Sequence, residues 1–558
     1  MGYVEARQNI ARFIKVDLKQ LTHLLYKTKV ENSYSKFTIP KRDGSERFIY
    51  APNEELKFIQ KKLNAKLCSV IEEYKTKNNI KSNISHGFEK GKGIFTNASV
   101  HRKKKYILTV DIKDFFNEFK FVRVKGFFEK SRMFNFSTEE AMLIAQLVCF
   151  KGSLPQGAPT SPVVANLIFN IVDMRIINLA RKYKLNYSRY ADDLTFSTNY
   201  ESFKSKSDDF MKELSLLVNR SGFELKPEKT RMKQKSERQM VTGLTVNSKV
   251  NAHRKYIKKT RAMADSLFKN GKITLDGRKI NLTQLEGRFN FLDYIDRCND
   301  DRNNENKSFR TLNYREKQFQ RFLFYKYFFN PNKPVIVTEG KTDIKHIKAA
   351  LKRYYNMFPS LVEFIDGRFE YKVTFLKRSY RIRKYLGIEM DGADTMINVW
   401  NLYKGKNGLP NIFEYLKNKS TSSQKRYPVI LLFDNEMASS RPLKKFLNTT
   451  KFSSDSDNKK LTEDLNLQIM DNLYIQTLPF VEGMQDVEIE DLYLPEQIIE
   501  IKDNENRTFK KEVEDLKKNF GKDTLSEYIY LNYKDFDFSN FFPLLKSIES
   551  IINNQHIY

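Results

Sequence analysis

The chain is poor in cysteine and histidine and has no long apolar runs. Its three cysteines, Cys68, Cys149 and Cys298, lie far apart, which excludes a disulfide framework and any zinc finger with CxxC spacing. With six histidines in 558 residues, a His-rich metal centre is not expected, and metal chemistry must rest on carboxylates. The longest apolar stretches, such as 143–150, fall short of the roughly 20 residues a membrane-spanning helix requires, and no signal-type apolar segment opens the chain. The expectation is a cytoplasmic protein with no membrane partner. The absence of a GxxxxGK[ST] loop argues against a helicase or ATPase, and no repeat recurs at solenoid periods.

What is present is positive charge. Lys and Arg number 98 against 68 Asp and Glu, a formal charge of +30. Hydrophobic residues make up 40% and aromatics 13%, enough to build cores, so the excess belongs to a folded protein that attracts polyanions. Length predicts several domains. Asn-Pro-Asn-Lys-Pro at 330–334 stops a helical stretch and marks the main boundary, while 299–308, 449–464 and 503–511 read as polar loops.

Before that boundary, β-rich runs end in acids. The buried-type strand 106–110 leads into Asp111, and 187–190 leads into Ala191-Asp192-Asp193 before strand character resumes, a hairpin with two acids at its turn. Beyond it the pattern is α/β. Val335-Ile336-Val337-Thr338 ends at Glu339-Gly340, and 429–433 ends at Asp434, each an acid at the carboxyl end of a parallel-type strand. Nucleotidyl transfer uses divalent ions roughly 3.5 to 4 Å apart, held by a few carboxylates with phosphate and water. Asp111, Asp192 and Asp193 meet that demand if their strands are neighbours.

Tyr190-Ala191-Asp192-Asp193, the run Asp111-Ile112-Lys113-Asp114-Phe115-Phe116 and the run from Leu154-Pro155-Gln156-Gly157 to Pro162 together resemble the reverse transcriptase family. Asn97-Ala98-Ser99-Val100-His101 fits the NAxxH signature and Val241-Thr242-Gly243 the VTG signature of bacterial retron enzymes. The resemblance implies a right-hand polymerase with fingers and palm over 1–248 and a helical thumb and connecting helix over 249–329. It implies Mg²⁺ on Asp111, Asp192 and Asp193, and dNTP contacts from Lys41, Arg47, Gln156, Gly157 and Lys229. Phe116 would be a steric gate against the ribose 2′-hydroxyl, its alternative being a core aromatic; for Lys229 the alternative is a surface lysine. RNA contacts are expected from Asn97, His101, Val241, Thr242, Gly243, Lys255, Lys258 and Lys259, with a structural role the other reading of His101. Basic residues from Lys249 to Lys279 far outnumber acids, as a duplex-gripping thumb requires.

Glu339-Gly340-Lys341-Thr342-Asp343 and Asp434-Asn435-Glu436 resemble the Toprim domain of topoisomerases, primases and related nucleases. The resemblance implies a Rossmann-like Toprim domain over 335–500 after a linker at 330–334, with a tail at 501–558. Glu339 would be catalytic, and Glu339, Asp434 and Glu436 would bind Mg²⁺. Glu436 stands where the family has Asp. Glu488, Glu490 and Asp491 are further candidates, their alternative a solvated helix start. The fold class is thus multidomain, α+β followed by α/β. A retron reverse transcriptase of this kind implies a cognate noncoding RNA and branched RNA–DNA product (msDNA) as partners, a nucleic-acid target for the Toprim effector, a homo-oligomer and an antiviral role. The other readings are a group II intron or diversity-generating enzyme, and a scaffold with an inactive Toprim domain.

Overall fold

A computed structural model describes residues 2–554 apart from 42–43, 301–308, 390–391, 422–425, 437–440, 500, 504–505, 512–514 and 516–517. The loop expected at 299–308 lies largely outside the described residues. The chain forms two compact units, one of Met1–Arg254 with Ile295–Asn299, the other of Lys255–Tyr294 with Asp300–Tyr558.

In the first unit, β1 (Tyr34–Pro40) and β2 (Glu46–Pro52) pair antiparallel from Tyr34↔Pro52 to Pro40↔Glu46, a hairpin projecting its exposed strand residues outward. A four-stranded antiparallel sheet follows, built from β3 (Tyr106–Ile112), β4 (Asn186–Tyr190), β5 (Asp193–Thr198) and β6 (Leu225–Gln234) in the order β4-β5-β3-β6. Buried Tyr106, Leu108, Val110 and Ile112, at period two on β3, join Leu194 and Phe196 in a core shared with helix Ser161–Lys182. That helix corrects the sequence reading on apolar runs. It is long and apolar enough to cross a bilayer, yet half of its most apolar window is buried in the protein. Its Asp173 forms a buried ion pair with Arg189 of β4.

The second unit centres on β7 (Val335–Thr338), β8 (Thr374–Phe375), β9 (Val429–Phe433), β10 (Asn466–Met470) and β11 (Leu473–Thr477), ordered β8-β7-β9-β11-β10. All neighbours are parallel except β10, which is antiparallel to β11. The continuous apolar strands have both faces covered. Val335, Val337, Val429, Leu431 and Phe433 pack into one core, Ile336, Ile430 and Leu432 into another.

Three boundaries differ from the sequence reading. The segment 255–294, expected in the thumb, contributes Met263, Leu267, Phe268, Leu285 and Phe289 to the first of these two cores, so 330–334 is a turn inside a unit. The expected tail is structural too, since Phe520, Leu525, Ile529, Phe538, Phe541, Leu544, Leu545 and Ile548 fill the second core from helices Lys522–Leu531 and Phe542–Asn553 and the turns beside them. The polar run 449–464 contains helix Asp455–Glu463, started by the Ser454 capping box.

Candidate functional site

Strand register brings the first constellation together. Asp111 on β3 lies opposite Asp193 on β5 and opposite Lys226 on β6. Tyr190 pairs with Asp193, leaving Ala191-Asp192 as a two-residue hairpin turn with Ala191 at φ 55°, and the Asp192 carbonyl accepts the Ile112 N–H at 3.0 Å. Three carboxylates are therefore crowded on two adjacent strands. Their surroundings and each other's charge disfavour ionisation of two of them. Burial, then Asp192 and Asp111, pushes Asp193 up to about 6; burial and Asp111 raise Asp192 as well. One buried Asp111 oxygen, Oδ1, has no hydrogen bond, although the Lys226 ammonium lies 3.3 Å away. Lys229 Nζ donates to Asp111 Oδ2 at 3.0 Å, a bond that raises the lysine. Lys229 is thus tied to the carboxylates, not loose on the surface.

Among the described residues, no group of three or more His, Cys, Asp or Glu side chains is arranged to hold a metal ion. In its chemistry, though not in a preformed arrangement, the donor set of Asp111, Asp192 and Asp193 fits a hard divalent ion. It is all carboxylate, it includes an oxygen without a hydrogen bond, and its charges repel one another, so a cation relieves a strain already present.

The surrounding loops belong to the same construction. Gly157 has φ 126°, and a Cβ there would lie 2.6 Å from the Tyr50 carbonyl oxygen; the Tyr50 N–H donates to Gln156 O at 2.8 Å. Glycine thereby lets the 154–157 loop lie against β2, the strand that carries Arg47. Lys41 closes the β1–β2 turn through its N–H to Ser45 O at 2.7 Å. Phe116 is partly buried in the 3₁₀ turn Phe115–Glu118, 5.5 Å from the Phe115 ring.

The RNA contacts expected of the two signature motifs need correction. Asn97 and His101 are fully buried. The Ser188 hydroxyl donates to Asn97 Oδ1 at 2.6 Å, and the two His101 ring nitrogens contact Ser188 and Ser197 hydroxyls at 2.7 Å each. Burial holds His101 neutral, its pKa lowered to about 3. Val241 is buried, and Thr242 donates to Ile94 O at 3.1 Å, at the start of helix Ile94–Val100 that carries Asn97. NAxxH and VTG are two halves of one brace behind β4 and β5, with Ser99 and Gly243, the latter in a turn at φ 81°, exposed. Lys255 and Lys258 lie exposed on helix Arg254–Asn270, and Lys259 on the same helix is ion-paired with Asp276.

In the second unit Glu339 and Asp434 leave the carboxyl ends of neighbouring strands β7 and β9, and the Asp434 N–H donates to Glu339 Oε2 at 3.1 Å. They line a cleft of about 500 Å³ with Asp343, Glu488, Glu490, Lys511 and Lys522. Burial first, then Asp343 and Glu436, pushes Glu339 up to about 7, and burial with the surrounding acids raises Asp434 well above the carboxylate range. Glu436 does not line the cleft. It is buried and pairs with Arg441 at 3.2 Å. Glu490 is buried rather than at a solvated helix start, and neither carboxylate oxygen has a hydrogen bond. Lys522 stands 3.1 Å from Glu488 and 3.3 Å from Glu490, while Lys511 pairs with Glu488 and Asp491. Sequence reasoning left out Asp343, Lys511 and Lys522 as site residues. Asp343 was visible four residues after Glu339; the lysines had no local signal.

The first unit thus sets Asp192 and Asp193 at a hairpin turn beside Asp111 on the neighbouring strand. Residues 39–246 match the family model of reverse transcriptases (RNA-dependent DNA polymerases), and this stretch has the polymerase fold of that family, mixed helix and sheet. Similar curated proteins include retron reverse transcriptases. The chain is 31% identical to the retron Mx162 reverse transcriptase of Myxococcus xanthus over 323 residues, which cover 52% of this chain and 64% of that protein. It is 33% identical to the Mx65 enzyme of the same organism, covering 41% and 55%, and 29% identical to the Ec86 enzyme of Escherichia coli, covering 52% and 84%. The chain thus spans less than two thirds of the length of the two Myxococcus relatives. This part of the chain is thus similar to retron reverse transcriptases.

Proposed function

We propose that this protein is an RNA-directed DNA polymerase that copies a cognate noncoding RNA into msDNA in the cytoplasm, joined to a Toprim-type nuclease effector in antiviral defence. The observation that carries the polymerase reading is the register of Asp111 against Asp193 beside the Asp192 turn, inside a stretch similar to retron enzymes. Asp111, Asp192 and Asp193 would hold Mg²⁺, which when bound supplies charge neutralisation for the triphosphate and an activated primer hydroxyl. The chain's own part is positional. Lys229 beside Asp111 is placed to meet a departing phosphate, Gly157 lets the nucleotide-side loop lie on the fingers hairpin, and Lys41 and Arg47 offer charge for the triphosphate. The helix Arg254–Asn270 would follow a duplex backbone through Lys255 and Lys258.

For the second unit, the parallel sheet with Glu339 and Asp434 at adjacent strand ends supports a Toprim-type centre holding Mg²⁺ and hydrolysing phosphodiesters. A second reading, an inactive scaffold, is favoured by one observation: Glu436 is engaged by Arg441 outside the cleft. Mg²⁺-dependent cleavage of separate DNA and RNA substrates distinguishes the two. Sequencing of nucleic acid that copurifies with the protein tests the first reading; a branched RNA–DNA species is expected, and RNA with no attached DNA from a polymerase-active preparation would overturn it.

A further inference from the structure

Beside the palm turn, residues 84–88 run along β4: the Arg189 N–H donates to Ile84 O and the His86 N–H to Arg189 O, both at 2.8 Å. Gly87 then meets the turn itself, since a Cβ there would lie 2.8 Å from Ala191 N. Its carbonyl accepts from Asn166 Nδ2 at 2.8 Å, Asn166 Oδ1 accepts from Arg189 Nη1 at 3.0 Å, and Arg189 is fixed by three hydrogen bonds to the buried Asp173 carboxylate. A buried ion pair thereby clamps a surface segment. What it clamps is Phe88, a bulky residue at φ 60° with 55% of its surface exposed. A left-handed backbone for phenylalanine is unfavourable and persists only where surroundings impose it. The Phe88 ring lies 6.4 Å from the Phe116 ring at 59°, within the range of an aromatic pair. Phe116 thus has two ring neighbours, the buried Phe115 and the exposed, strained Phe88.

We infer that Phe88 is a positioning residue for nucleotide-sugar selection: the Asp173–Arg189–Asn166–Gly87 chain holds its ring against Phe116 so that Phe116 keeps a fixed place beside the incoming sugar. The inference rests on the polymerase reading and on Phe116 as the gate. Ring neighbours restrict the swing of a side chain that must reject a single hydroxyl, and an exposed hydrophobic ring on a strained backbone has no core-filling role to explain it.

The test is steady-state extension of a DNA primer on an RNA template by the full chain, with kcat and KM measured for a dNTP and the matching ribonucleotide. Phe88→Ala is expected to lower dNTP-over-ribonucleotide discrimination about tenfold, mainly through a lower KM for the ribonucleotide, with kcat for the dNTP held within about twofold. Phe88→Tyr is expected to keep discrimination, and Asn166→Ala to lower it in the same direction. Phe88→Leu, which keeps bulk without a ring, carries the test if the alanine variant fails to fold. Unchanged discrimination in Phe88→Ala or Phe88→Leu, with Phe116→Ala relaxed, overturns the inference alone. Unchanged discrimination in Phe116→Ala overturns the gate assignment and the inference with it.

Discussion

The two units carry acids at strand ends, but they manage the charge in opposite ways. In the palm Asp192 and Asp193 sit at a turn near solvent with buried Asp111 on the neighbouring strand, and the fully buried charge, Asp173 with Arg189, is paired through three hydrogen bonds. In the second unit Asp343 and Glu490 of the cleft are buried while Glu339, Asp434 and Glu488 are half-buried, and Glu490 has no hydrogen bond to either oxygen. Lysines from the last sixth of the chain, Lys511 and Lys522, supply the compensation. The palm acids are placed by backbone register and compensated from the adjoining strand β6 by Lys226 and Lys229, so that site is separable from the buried pair that stabilises the fold. A site compensated by side chains from elsewhere is not.

That contrast breaks most sharply on single charges. Asp192→Asn is expected to reduce primer extension by at least about a thousandfold, because it removes one of three clustered carboxylates at the reacting centre, while the turn backbone and the melting temperature are retained. Asp434→Asn in the other unit should leave primer extension unchanged; a comparable loss there would show that the two sites are not separate.

Next in size is the buried pair. Asp173→Asn leaves the Arg189 guanidinium uncompensated in the core and is expected to cost about 3–5 kcal/mol, read as a fall in denaturant midpoint. The loss should exceed that of any single carboxylate-to-amide change in the second unit's cleft.

The pH response distinguishes the units again. Asp193 is held at about 6, against an ordinary 3.8, and Glu339 at about 7, against 4.5. Both are raised carboxylates, so the folded state keeps a proton the unfolded state has lost, and without a divalent ion stability falls as pH rises from about 4 to beyond these values. With Mg²⁺ the requirement inverts, since the ionised form is the ligand. DNA synthesis and any Mg²⁺-dependent hydrolysis by the second unit are both expected to fall at acid pH, at values below the metal-free values of about 6 and about 7 because bound Mg²⁺ favours the ionised form, with the second unit falling first. Coincident profiles would contradict the different degrees of crowding.

Much of this was legible in the sequence where function and backbone coincide. The convergence of Asp111, Asp192 and Asp193 was readable because acids at strand ends and hairpin turns are placed by alternation and turn chemistry, and their register follows from the strands themselves. Asn97 and His101 were misread because a motif records which residues are needed, not which way they face; two serines on β4 and β5 decide that, 87 and 96 residues away from His101. The segment after 501 was taken for a tail because its elements are short and its polar stretches long, while the aromatic residues that anchor it pack against strands far back in the chain. Lys522 was invisible for the same reason.

The smallest effect is the most pointed. Glu490 is raised by burial and lies 3.3 Å from Lys522, which also has Glu488 at 3.1 Å. Replacing it by glutamine removes a charge whose oxygens have no hydrogen bonds, and leaves Lys522 a remaining partner. Glu490→Gln is therefore expected to shift stability by no more than about 1 kcal/mol, and towards greater stability, because desolvating an ill-satisfied carboxylate costs more than its ion pair returns. Thermal melting of the full chain checks the sign. A clear loss would mean that Lys522 depends on Glu490 as Arg189 depends on Asp173, and the contrast between the two units would then lie in the position of their acids and not in how they are compensated.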